Sequence, residues 1–173
     1  PERVLRPKGL GTEPVPPTHP AGGRKYAVVK DGRGDIRGTD QVILPAIGET
    51  LYFEDRETLS TFSLTMLPGD AGTWLKQRLI VAFRGSIPNA ASNDFKDANL
   101  KAIIGAHGQR YLSAELISTE INRLLIRAGE GCSTRVLYTG HSLGGGLALS
   151  AGTMGGVRCK NRRPDSIVVF NPA

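Results

Sequence analysis

The stretch "YTGHSLGGGLALS", residues 138–150, decides how this chain is read. An apolar run leads into it, a small-residue run follows, and Ser142 stands between Gly140 and Gly144. A hydroxyl flanked by two glycines contributes little to a core. Glycines there let the backbone bend sharply and let another group come close. The Gly-x-Ser-x-Gly spacing therefore suits a nucleophile held on a tight turn between a strand and a helix.

The segments around it supply that context. "TRVLYTG" (134–140) reads as a strand and "LGGGLALSAGTM" (143–154) as a helix rich in small residues. "DSIVVFNPA" (165–173) reads as a buried strand. Upstream, "RLIVAF" (78–83) is a continuous apolar run, the pattern of a strand covered on both faces. "SNDFKDANLKAII" (92–104) opens on the cap candidates Ser92 and Asn93 and predicts a short helix. "RYLSAELISTEINRLLIRAGEG" (110–131) predicts a longer one. Its stripe is Leu112, Leu116, Ile117, Ile121, Leu124 and Leu125, and Gly129 or Gly131 ends it.

Further towards the N-terminus the texture is β-rich. "KYAVV" (25–29), "QVILP" (41–45), "TLYFE" (50–54) and "TFSLTML" (61–67) are separated by turn signals such as "KDGRGD". Residues 1–24 hold most of the prolines without any period and read as an arm or linker. The order is β-rich, then β–α–α–β–α–β. It predicts an α/β fold with a parallel sheet covered by helices, residues 25–173 being the N-terminal portion of a domain that is incomplete at its C-terminus.

Composition narrows the function classes. The chain has 173 residues, Lys+Arg 22 against Asp+Glu 16, a net charge of +6 and a pI near 9.6. That balance allows a bias towards anionic surfaces such as acidic lipid headgroups or nucleic acid, while the scattered basic residues read first as a solvated face. The densest basic cluster, Arg158, Lys160, Arg162 and Arg163, has no interleaved aromatics, so stacking on nucleic-acid bases is poorly supported. No apolar window approaches the length of a membrane span. Two cysteines do not make a metal site.

Two ordered pieces carry the chemistry. Ser142 would sit at the carboxyl end of its strand, with the N-terminus of the following helix aimed at it. The partial positive charge there favours an oxyanion formed on attack. The second piece is "VAFRGS" (81–86), where a strand exits into Arg-Gly-Ser and can offer a further N–H donor. "FRGS" followed by "GHSLGGGLA" resembles the class 3 lipase family of α/β-hydrolases, over about residues 78–173. The resemblance implies an α/β-hydrolase fold with Ser142 as nucleophile. It also implies an oxyanion hole from the N–H groups of Ser86 and Leu143. "IPNAASNDF" resembles the lid region, with Phe95 where a tryptophan is usual, and "AHGQRY" around His107 matches the following region imperfectly. A bacterial lipase or phospholipase effector, secreted or delivered as a toxin, fits the same resemblance. No metal or organic cofactor is implied.

A serine nucleophile needs a base, and the base needs an orienting acid. No histidine follows Ser142, and Asp165 precedes its strand at the wrong end of the sheet. His141 is turned away by the elbow, His107 lies between two predicted helices, and His19 lies in the arm. The expectation is that the triad Asp and His come from a C-terminal remainder of the same protein. The favoured activity is hydrolysis of lipid esters, glyceride or phospholipid. A non-catalytic binding module and an esterase or peptidase on the same elbow are the alternatives. Cys132 and Cys159 precede neighbouring strands. That placement allows a disulfide, while two buried free thiols are the expected state.

Overall fold

The computed structural model describes residues 26–30, 35–39, 42–55, 58, 60–85, 108–154 and 165–172. The 1–24 arm, the 92–104 helix, His19, Ser86, Phe95, His107 and Cys159 lie outside them.

Alternation of buried and more exposed side chains marks the strands over 50–55, 61–68 and 77–83. β1 (Tyr26–Lys30), β2 (Asp35–Thr39), β3 (Thr50–Asp55), β4 (Thr61–Pro68) and β5 (Gln77–Phe83) pair antiparallel in the order β2-β1-β3-β4-β5. β6 (Thr134–His141) and β7 (Ser166–Phe170) extend the sheet in parallel, so the sheet is mixed. Helix α1 (Gln109–Arg127) connects β5 to β6, and α2 (Leu143–Met154) connects β6 to β7. The architecture is α/β. No helix among the described residues is long and apolar enough to cross a membrane.

The core lies on one face of the sheet. Leu51 and Phe53, Phe62 and Leu64, Leu79, Val81 and Phe83, and Val136 and Tyr138 point into it from successive strands. Ala114, Ile117, Ile121 and Leu125 of α1 and Leu143, Leu147, Ala148 and Ala151 of α2 close it. Phe53, Phe62 and Phe83 are in register across β3, β4 and β5. The first two rings stack with centroids 5.0 Å apart and the second pair sits 5.9 Å apart. This aromatic row buttresses the end of β5, which is where the candidate site begins.

Several sequence expectations change here. "QVILP" is not a strand: Val42 is buried, and its N–H donates to Glu120 Oε1 of α1 at 2.8 Å. A strand over 35–39 forms instead, pairing back onto β1. "RLIVAF" buries only alternate residues, with Ile80 and Ala82 half-buried on the other face. Among the described residues "SIVVF" lies last in the sheet order, with Val168 at 47% and Phe170 at 59% exposure. The α1 stripe is rotated from the apolar reading. Leu112 is exposed, whereas Ser113 and Ser118 are buried because each has a partner: the Asp55 carboxylate for Ser113 and the Tyr138 hydroxyl, at 2.7 Å, for Ser118. Gly129, with φ at +72°, follows the C-terminus of α1 as expected of a helix-ending glycine. The expectation of free thiols fails as well. Cys132 is exposed and disulfide-bonded.

Candidate active site

The carboxyl ends of the three parallel strands meet at one place. β5 ends in Phe83-Arg84-Gly85, β6 in Gly140-His141-Ser142 and β7 in Phe170-Asn171-Pro172. Open α/β sheets gather their ligand sites at this edge.

Ser142 forms the turn between β6 and α2 with φ at +54°, in the left-handed region that side chains other than glycine, asparagine and aspartate rarely occupy. Its carbonyl accepts from the N–H groups of Gly145 (2.8 Å) and Gly146 (3.2 Å), which starts the helix at once. Its own N–H donates to the Phe170 carbonyl at 3.0 Å. Among the described residues no acceptor outside the helix takes the Leu143 N–H, the first donor of α2. Orphan donors of this kind, at the positive end of the helix dipole, are where an anion is held.

The two glycines of the motif are fixed by steric demand. A Cβ on Gly140 would overlap the Gly144 carbonyl and come within 2.9 Å of the Gly145 nitrogen. A Cβ on Gly144 would overlap the Phe83 carbonyl oxygen and lie 2.8 Å from the Arg84 carbonyl carbon. α2 thus starts in direct contact with the end of β5. Gly85 sits against the same turn: a Cβ there would be 2.7 Å from the His141 carbonyl oxygen and 3.6 Å from Ser142 Cβ. The "FRG" and "GHSLG" pieces, more than fifty residues apart in sequence, are therefore neighbours.

The family follows from the chain that builds this site. A sequence model of the phospholipase-like class, the Tle-like phospholipase domain, matches residues 47–161, well over half the chain. The chain belongs to the Tle-like phospholipase family. No curated protein and no solved structure matches it at a significant level. In this Tle-like phospholipase the match spans β3 to the end of α2, so the Ser142 turn and the end of β5 both fall inside it.

The remaining candidates separate clearly. Ser86 lies just outside the described residues, although Gly85 before it touches the turn. His141 ends β6 and is exposed. Asp165 lies at the opposite end of the sheet, where its Oδ1 accepts the Val136 N–H at 3.1 Å and locks β7 to β6. That contact is structural, as its place before the strand suggested. At the upper end of α1, buried Asp55 accepts from Ser113 and, at 3.0 Å, from Thr58 Oγ1, which ties the helix to β3. Burial pushes the Tyr111 phenol on the same helix turn above its ordinary value, so it stays neutral. Ser150 Oγ donates to Glu115 Oε1 at 2.7 Å and joins α2 to α1 behind the site.

Sequence reasoning missed the "FNP" turn as part of the site. The signal was there in the Asn-Pro dipeptide, which marks a turn directly after a strand.

Proposed function

We propose that this Tle-like phospholipase cleaves phospholipid esters with Ser142 as nucleophile, on an α/β-hydrolase fold whose parallel part is β5–β6–β7. One observation carries the reading. The only serine of a Gly-x-Ser-x-Gly motif sits in left-handed conformation at a strand-to-helix turn, with backbone packed against both flanking glycines. Strain of this kind costs on the order of 1–3 kcal/mol and survives where function selects it. The resemblance of "FRGS" and "GHSLGGG" to class 3 lipases supports the same assignment.

In this reading the Ser142 hydroxyl attacks the ester carbonyl carbon and passes its proton to a general base. The carbonyl oxygen becomes an oxyanion and takes hydrogen bonds from the Leu143 N–H and from the N–H of Ser86. Collapse of the tetrahedral intermediate expels the alcohol, which regains the proton, and leaves an acyl group on Ser142. The expelled alcohol is the lysolipid, and water, activated by the same base, then releases the fatty acid from Ser142. A histidine and an acid that orients it, supplied elsewhere in the protein, complete this proposal as the general base. The net charge of +6 favours a substrate presented on an anionic bilayer. Delivery as an effector against other cells belongs to the same proposal.

The test uses the full-length protein and a fluorophosphonate reagent. Label is expected on Ser142, with release of fatty acid from phosphatidylglycerol vesicles abolished in Ser142→Ala. An enzyme that stays active in Ser142→Ala, or carries its label on another serine, would refute the assignment.

A further inference from the structure

We infer that the Phe170–Asn171–Pro172 turn positions Ser142, and that the left-handed backbone of Asn171 is what makes the turn fit. The inference rests on Ser142 being the nucleophile.

Among the described residues two that are not glycine adopt positive φ: Ser142 at +54° and Asn171 at +41°. They stand side by side, because His141 and Phe170 are in register at the ends of the parallel strands β6 and β7. The turn grips the serine loop at two points. The Phe170 carbonyl accepts the Ser142 N–H at 3.0 Å, continuing the ladder one step past the strands. The chain then reverses at Asn171 and sets Pro172 over the first turn of α2. A Cβ on Gly145 would lie 3.1 Å from Pro172 Cα and 3.3 Å from Pro172 Cβ, tight enough that Pro172 would have to give by a few tenths of an ångström.

These contacts have a chemical consequence. A left-handed serine persists only when its surroundings over-determine it. The bond to Phe170 holds the peptide before the Ser142 Cα, and Pro172 limits the helix turn after it. Consuming the Ser142 N–H also removes it as an oxyanion donor and leaves that task to the Leu143 N–H. The Phe170 carbonyl lies before the backbone torsion of residue 171, so it is the Pro172 contact that depends on the chain turning left-handed there. Asparagine is one of the few side chains that tolerates this conformation. Its side chain is exposed, so packing does not explain its choice. Asn171 is therefore a positioning residue, acting through its backbone and not through its amide.

The experiment compares Asn171→Gly, Asn171→Asp and Asn171→Ala in the full-length protein, well below each variant's Tm. It measures kcat and KM on vesicles, and the rate and affinity of fluorophosphonate labelling at Ser142. Gly and Asp tolerate the left-handed region and are expected to stay within about threefold of wild type. Ala does not, and should lose about tenfold in kcat and in labelling rate, with KM and reagent affinity within about twofold. Wild-type rates in Asn171→Ala would overturn the inference. So would a loss in Asn171→Gly as large as in Asn171→Ala, which would assign the role to the amide. A loss confined to KM would overturn it too. If Asn171→Ala does not fold, the Gly and Asp variants still decide, since a tenfold loss in both refutes a backbone role. Absence of label on Ser142 in active wild-type protein would instead defeat the serine reading beneath it. Label on Ser142 with the wrong variant pattern would defeat the positioning role alone.

Discussion

Replacing Gly144 with alanine tests the site through one atom. The added Cβ would lie 2.8 Å from the Arg84 carbonyl carbon and 2.9 Å from its oxygen, and would overlap the Phe83 carbonyl oxygen. Ordinary contact for such a carbon begins near 3.4 Å. The start of α2 must therefore retreat from the end of β5 by roughly 1 Å. All three obstructing atoms are backbone, and the aromatic row Phe53–Phe62–Phe83 holds β5 in place, so the helix is what moves. The movement displaces the Leu143 N–H and Ser142 relative to Arg84 and Gly85 at the end of β5, next to the donor proposed at Ser86. Misplacement by about 1 Å costs on the order of a hundredfold in rate. The overpacking itself costs about 1–3 kcal/mol of stability. Gly152→Ala is the control on the same helix. Its Cβ would meet Ile167 Cγ1 at 2.5 Å, Ile167 Cδ1 at 2.6 Å and Tyr138 Cδ2 at 3.3 Å, all side-chain atoms at the end of α2 away from Ser142. The assay is vesicle hydrolysis per folded molecule, with urea unfolding alongside. We expect about a hundredfold loss of kcat in Gly144→Ala and a change within about twofold in Gly152→Ala. Folded Gly144→Ala with kcat within threefold of wild type would show that the contact between β5 and α2 does not set the catalytic geometry.

Two further outcomes are expected. Asp165→Ala removes the acceptor of the Val136 N–H and should lower stability by about 1 kcal/mol in urea unfolding, without changing kcat; a hundredfold loss of kcat would make it part of the catalytic machinery. Reduction of the Cys132 disulfide should lower stability by about 3–4 kcal/mol, the value for a loop closed to Cys159, the one other cysteine in the sequence. A Tm unchanged by dithiothreitol, or peptide mapping that joins Cys132 to a second chain, would contradict that pairing.

The elements were legible where local pattern and burial agree. Strands over 50–54, 61–67, 78–83 and 134–140 and helices over 110–131 and 143–154 all form within a few residues of their predicted bounds. Alternation and a 3.6-residue stripe are local properties, and the core uses them directly. β2 was missed because "DIRGT" is short and polar and carries a glycine; it exists through its pairing with β1 and not through its own preference. "QVILP" has strand composition, yet Val42 spends its N–H on Glu120 of a distant helix. Burial on α1 was misjudged for a related reason. Ser113 and Ser118 are polar by sequence, but partners from β3 and β6 make their burial favourable.

The site divides in the same way. Glycine spacing and apolar runs act over a few residues, so the Gly-x-Ser-x-Gly turn, the strand before it and the helix after it were legible locally, as was "FRG" as a second piece. The approach of Gly85 to the Ser142 turn, the backbone facing Gly140 and Gly144, and the left-handed backbone that Asn171 shares with Ser142 emerge only from the folded chain. Those facts depend on the parallel register of β5, β6 and β7. The alternation within each strand fixes which face is buried, but which residue lies opposite which depends on packing between segments far apart in the chain.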